Sequence, residues 1–100
     1  MKIAVLTSSR ADYGIYQTLL KKLCNSVKFD LTIVAFGMHL LSKYGNTINE
    51  IIEDNFGIIK KVEGMQSDDS EFGIVRDYAK IIHNFSIFWK ENKYDLLICL

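Results

Sequence analysis

The feature that most constrains this chain is an alternation. Short apolar runs, "KIAVL" (2–6), "FDLTIVAFG" (29–37), "IIKKV" (58–62) and "YDLLICL" (94–100), are separated by segments whose apolar residues recur at helical spacing. Runs rich in Ile, Val and Leu with no polar alternation suit strands buried on both faces of a parallel sheet. Tyr16, Leu19, Leu20 and Leu23 predict a first helix over about Tyr13 to Cys24. Ile48, Ile51 and Ile52 predict a second from about Asn46, closed by Phe56-Gly57. A long third helix is predicted from about Glu71 to Glu91, with Phe72, Val75, Ala79, Ile82 and Trp89 as its main stripe and Ile81, Phe85 and Phe88 widening it. Strand–helix alternation of this kind implies an α/β fold: a three-layer, Rossmann-like parallel sheet with helices on both faces and right-handed crossovers. In the doubly wound order 3-2-1-4, strands one and four flank the switch point. Ligands bind there, outside the carboxyl ends of those strands.

Composition narrows the class. Lys+Arg equals Asp+Glu, 12 against 12, so there is no electrostatic footprint for nucleic acid or an anionic membrane. No apolar stretch reaches the ~18 residues of a membrane span, and "MKIAVLT" has no cleavage-site pattern of a signal peptide. Cys24 and Cys99 form no CxxC pair or metal set and read as buried free thiols of a cytoplasmic protein. The absence of proline and of any linker gives no internal domain boundary. The last residues fall inside an apolar run with no cap or polar tail, so residues 1–100 read as the first piece of a longer protein.

The stretch "TSSRADYG" (7–14) lies where the first strand turns into the first helix. A helix start presents free N–H groups and partial positive charge, both attractive to phosphate. Thr7, Ser8 and Ser9 add hydroxyl donors, and Arg10 can clamp two phosphate oxygens at once. Asp12 is placed as a helix N-cap, and Gly14 would let another group approach the backbone. A capped helix whose Ser and Arg face water fits the same pattern. Neither G-x-G-x-x-G nor G-x-x-x-x-G-K-[ST] is present.

The full opening, "MKIAVLTSSRADYGIYQTLL", resembles the hydrolysing UDP-N-acetylglucosamine 2-epimerases and their GDP-sugar relatives of sialic and legionaminic acid biosynthesis. A second block, "FGMHLLSKYGNTINEIIEDNF", is similar to the G-x-H-L…YG-x-T signature of that family. "KYDLLICL" is similar to the strand that there runs into a G-D-R-x-E turn. The resemblance implies two Rossmann-like domains in the glycosyltransferase-B arrangement, of which residues 1–100 would be the amino-terminal part of the first. It implies elimination of the nucleotide after proton removal at C2, then addition of water with inversion, giving a manno-configured free sugar and nucleoside diphosphate. Such chemistry needs a base for a weakly acidic C–H and stabilisation of the leaving diphosphate.

Carried over, Arg10 matches the arginine of S-R-A-[DE]-Y and implies diphosphate contact, with Ser8, Ser9 and Asp12 shaping the turn. His39 matches the histidine of G-x-H-L, where a substrate-side contact and a loop-holding role are both open. Tyr44, Gly45 and Thr47 match the loop-to-helix turn. The catalytic acid and base are expected after Leu100, with none in residues 1–100. The resemblance implies a nucleotide-sugar substrate and a homo-oligomeric full-length enzyme, and no cofactor or metal is expected. Asp68, Asp69 and Glu71 read as caps of the third helix, Asp95 lies at the amino end of the fourth strand, and His83 reads as structural or surface. The alternatives are a glycosyltransferase of the same architecture, or a flavodoxin-like or receiver-like module. A receiver would need clustered acidic residues at the end of strand one, where this chain has Ser and Arg.

Overall fold

Backbone hydrogen bonding joins all the predicted strands into one parallel sheet in a computed structural model that describes residues 1–42, 45–66 and 69–100. The chain runs β1 (Lys2–Thr7), α1 (Arg10–Cys24), β2 (Asp30–Phe36), a 3₁₀ turn (Gly37–Leu40), α2 (Ile48–Asp54), β3 (Ile58–Val62), α3 (Glu71–Glu91) and β4 (Leu96–Cys99). The sheet order is β3-β2-β1-β4, the doubly wound order. Ile3 pairs with Leu31 on one side and Leu96 on the other, so β1 is central and β4 lies at the edge. Its amino end is closed by local polar bonds: the Lys2 N–H donates to the Asp95 carboxylate at 2.8 Å, and the Asp95 N–H donates to Lys2 O at 2.8 Å. Asp95 is therefore a register pin at the end opposite the switch point.

Each face of the sheet carries its own core. On one face α1 and α2 bury Tyr13, Tyr16, Leu20, Ile48 and Ile51 against Ile3, Val5, Ile33 and Ala35. On the other, α3 packs Phe88, with Phe85 and Trp89, over Ala4, Val34 and Val62. That is the three-layer arrangement expected of a βαβ-wound chain.

Some boundaries and faces differ from the sequence reading. Helix α1 starts at Arg10, three residues earlier than predicted, and its N-cap is Ser9, whose Oγ accepts the Asp12 N–H. Asp12 is thus inside the first turn. Its longer reach lets it bond backwards to the turn instead of capping forwards, a variant of the capping box. Gly14 has open space where a Cβ would go, so no group approaches it among the described residues. Helix α2 starts at Ile48 because Gly45 and Asn46 take left-handed backbone (φ 83° and 47°). Of the main stripe predicted for α3, Phe72, Val75 and Ile82 point outwards, 74%, 67% and 70% exposed, while Trp89 packs on the core. Gly73, Asp77, Ile81 and Phe88 are the buried residues, Ile81 and Phe88 among those predicted to widen the face. Both rows have helical periodicity, and only the fit of Ile81 against the Gly64 backbone and of Phe88 over Val34 selects between them. Cys24 and Cys99 are exposed, not buried, because one ends α1 and the other lies on the edge strand. No helix among the described residues is long and apolar enough to cross a membrane.

Candidate nucleotide-sugar site

At the carboxyl end of β1 and β2, two turns are locked together. Gly37, in left-handed backbone at φ 62°, lies so close to Ser8 that a Cβ would meet Ser8 O at 3.3 Å. The adjacent His39 N–H donates to Ser8 O at 3.3 Å. Gly37 therefore allows the 3₁₀ turn to close over the β1–α1 turn, which a larger residue would wedge open.

Side chains complete the lock. His39 is fully buried, with Nε2 2.8 Å from Thr7 Oγ1 and Nδ1 2.7 Å from Thr47 Oγ1. The Thr7 hydroxyl bonds the Asp12 carboxylate. The other Asp12 oxygen accepts from the Ser8 N–H at 3.0 Å and from Ser8 Oγ at 2.8 Å. Burial pushes the Asp12 pKa up, but the hydrogen bonds from Thr7, Ser8 and Ser9 outweigh it and hold the carboxyl below its usual range. Burial likewise dominates His39 and lowers its pKa against the opposing pull of Asp12 and Glu50, which favours the neutral imidazole. Behind it, the Tyr13 ring meets His39 edge-on at 6.2 Å, and the Tyr13 hydroxyl donates to Asp54 at 2.6 Å, tying α1 to the end of α2. Burial and the Asp54 charge raise the Tyr13 pKa, keeping its proton in place.

This frame shapes a cleft of about 320 Å³ lined by Ser9, Arg10, Ala11, Met38 and Thr47. Arg10 reaches over it from the first turn of α1, and its side chain is 75% exposed. Its partner is Glu50 at 3.4 Å, an exposed contact of little strength that an anionic ligand can displace. The cleft wall so combines a helix start, a hydroxyl, a guanidinium and an apolar floor. That combination suits an anion joined to a less polar group.

Comparison with known proteins agrees in kind. Over 99 residues, 99% of the chain, it is 37% identical to the polysialic acid biosynthesis protein P7 of Escherichia coli, of which it spans 25%. Over 57 residues, 57% of the chain, it is 51% identical to a hydrolysing UDP-N,N'-diacetylbacillosamine 2-epimerase of Legionella pneumophila, covering 15% of that protein. A hydrolysing GDP/UDP-N,N'-diacetylbacillosamine 2-epimerase of Campylobacter jejuni aligns over 99 residues, 99% of the chain and 26% of that enzyme, at 27% identity. The chain is thus similar to the opening part of proteins named as hydrolysing 2-epimerases and of a polysialic acid biosynthesis protein. It spans about a quarter of the length of the two curated relatives that it matches end to end. No protein-family model matches it.

The structure brings the motif residues Ser8, Ser9, Arg10, Asp12 and His39 to one end of the sheet. They divide by orientation. Ser9 and Arg10 line the cleft, whereas Ser8, Asp12 and His39 form the bonded frame beneath it. Thr7 is 1% exposed and bonded to Asp12, so it belongs to the frame too. Tyr44 and Asp68 lie outside the described residues. Gly45 sets its turn through left-handed backbone, and Thr47 both caps α2 by position and meets His39. Ser70 is the N-cap of α3, its Oγ accepting the Gly73 N–H at 3.0 Å, while Asp69 and Glu71 lie exposed at the helix start. His83 is on the surface. Sequence reasoning gives no sign of Met38 as a cleft residue or of Glu50 as the partner of Arg10. Met38 carries no chemical signal, and Glu50 reads as an ordinary helix residue until folding brings it opposite Arg10. Among the described residues, no group of three or more His, Cys, Asp or Glu is placed to hold a metal ion.

Proposed function

We propose that this chain is the amino-terminal part of the first Rossmann-like domain of a hydrolysing nucleotide-sugar 2-epimerase of glycosyltransferase-B architecture. The full-length enzyme converts a UDP- or GDP-linked 2-acetamido sugar, UDP-N-acetylglucosamine or a derivative, into a manno-configured free sugar such as N-acetylmannosamine and nucleoside diphosphate. The product enters sialic- or legionaminic-type acid synthesis in the cytoplasm, and the enzyme is a homo-oligomer. The observation that carries this reading is the alignment over 99 residues with a polysialic acid biosynthesis protein and a hydrolysing 2-epimerase, supported by the cleft at the carboxyl ends of β1 and β2.

In this mechanism residues 1–100 supply binding and electrostatics. Arg10 and the α1 start hold the diphosphate and stabilise the charge that develops as it departs from C1. Ser9 donates a hydrogen bond to the same group. The Asp12–Thr7–His39 frame keeps these donors in place, which matters because a misplaced donor gives little stabilisation to a developing charge. The base that removes the C2 proton and the acid/base that directs water are contributed by the remainder of the enzyme.

The test is to incubate the full-length protein with UDP- and GDP-linked 2-acetamido sugars and to measure nucleoside diphosphate and free sugar. The expected result is stoichiometric release of both, the sugar having the manno configuration. Transfer of the sugar to an added acceptor, with retention of C2 configuration and no free sugar, would replace the epimerase reading by a glycosyltransferase.

A further inference from the structure

The bonds around His39 fix which atoms carry the protons. Asp12, ionised and accepting from both the N–H and the Oγ of Ser8, can only accept from Thr7. The single Thr7 hydroxyl proton is therefore spent on Asp12, so Thr7 Oγ1 meets His39 Nε2 as an acceptor. Neutral His39 then carries its proton on Nε2, and Nδ1 can only accept. Its partner at 2.7 Å is Thr47 Oγ1, which must donate. The direction is unbroken from Thr47 through His39 and Thr7 to Asp12. Thr47 stands at the N-cap position of α2, yet its side chain makes no capping bond, because the hydroxyl is engaged by His39.

Thr47 also lines the cleft, from the start of α2, whereas Ser9 and Arg10 line it from the start of α1. We propose that His39 is a positioning residue that gives the cleft a polarity: by taking the Thr47 proton, it leaves the Thr47 oxygen to meet a ligand only as a hydrogen-bond acceptor. A phosphate oxygen, itself only an acceptor, is turned away from Thr47 and towards Ser9 and Arg10. A hydroxyl or amide N–H is drawn to Thr47. One wall thus takes the anion and the other takes a donor of the attached sugar, which orients the ligand end to end. The inference rests on the reading of this cleft as a nucleotide-sugar site, and names the residue that distinguishes the sugar from the bare nucleotide.

Two measurements on the full-length protein test it. The first needs no ligand: long-range proton–nitrogen NMR of the histidine-labelled protein reads the tautomer of His39, with exposed His83 as the internal reference. A neutral ring protonated on Nε2 is expected near neutral pH, although Asp12 and Glu50 face it with negative charge and Arg10 is engaged with Glu50. Protonation on Nδ1, or a charged ring, overturns the proposal whatever the protein binds. The second compares binding of the nucleoside diphosphate with that of the nucleotide sugar. Thr47→Val is expected to weaken the nucleotide sugar about tenfold, the loss of one hydrogen bond to a donor, and to leave the diphosphate within about twofold. Thr47→Ser restores sugar affinity. Equal weakening of both ligands by Thr47→Val, or failure of Ser to rescue, overturns the proposal. Binding of neither ligand by the unaltered protein defeats the functional reading, and with it the ligand class assigned to Thr47, while the tautomer still decides the role of His39.

Discussion

The two faces of the sheet are stabilised by different means. Beneath α3 the core is aromatic: Phe85 stacks on Trp89 at 5.7 Å, Phe88 meets Trp89 edge-on at 4.9 Å, and Tyr94 stacks on Phe88 at 6.3 Å. Beneath α1 and α2 it is mainly aliphatic, but its carboxyl end is closed by the directional bonds of Asp12, Thr7, His39 and Thr47. Aromatic packing buries much area and tolerates small shifts. A chain of hydrogen bonds contributes less net energy and fixes position far more narrowly. The cleft is built on the second kind of face, where donors must be held to within fractions of an ångström.

The comparison can be broken first through the cores themselves. Ile33→Ala under α1 and Phe88→Ala under α3 should each cost about 3 kcal/mol in denaturant unfolding, the usual scale for emptying a buried aliphatic or aromatic site. They should part in NMR. Ile33→Ala is expected to shift the His39 and Thr7 signals, whereas Phe88→Ala leaves them in place. Matching shifts from both variants would show that the two faces are one unit.

Asp12→Ala should come next, at about 2 kcal/mol, because it leaves the buried Thr7 hydroxyl and the Ser8 N–H without their charged acceptor. The intact protein carries the matching pH signature. Since the folded carboxyl has a lowered pKa, its stabilisation is complete above the unfolded value near 3.8 and is lost as pH falls through the folded value. Acid unfolding of Asp12→Asn should lack this component.

His39 acts in a different window. Its folded pKa is lowered from 6.5, so below that value the unfolded chain takes up a proton that the folded protein refuses. Stability should fall by up to about 1.4 kcal/mol per pH unit from near pH 6.5 down to the folded pKa, and stay flat above pH 6.5. His39→Asn should flatten that slope. A slope that persists in the variant would assign it to other groups.

The smallest effect on stability is expected from Arg10→Ala, within about 0.5 kcal/mol, since the Arg10–Glu50 pair is exposed. Its effect on ligand should be the opposite in rank: affinity for the nucleoside diphosphate is expected to fall about tenfold or more, as a charge-assisted contact is lost. A residue of the frame would show the reverse, a large stability loss with the ligand contact indirectly reduced. Calorimetry on Arg10→Ala and Asp12→Ala with the same diphosphate separates the two roles.

Much of this molecule was legible in one dimension. The apolar runs and helical spacings determine the parallel sheet and the three layers, because strand and helix periods are local and few topologies connect them. The "SSRAD" and "GMHL" stretches located the site's end of the sheet, and the resemblance to the 2-epimerases rests on the same residues. What the sequence left open depends on distance through space. Ser9 and not Asp12 caps α1, since the choice turns on which side chain reaches back to Thr7 and Ser8. Which row of α3 is buried depends on Ile81 and Phe88 meeting β-strand surface, and two rows with equal periodicity cannot reveal it. The thiols are exposed because of where α1 and β4 end up. His39 and Thr47, eight positions apart, became a directed pair only when Gly37 allowed the turn to close on Ser8. Residue types determined which groups could donate or accept; the tertiary structure alone decided which of them spend their protons on each other and which remain for a ligand.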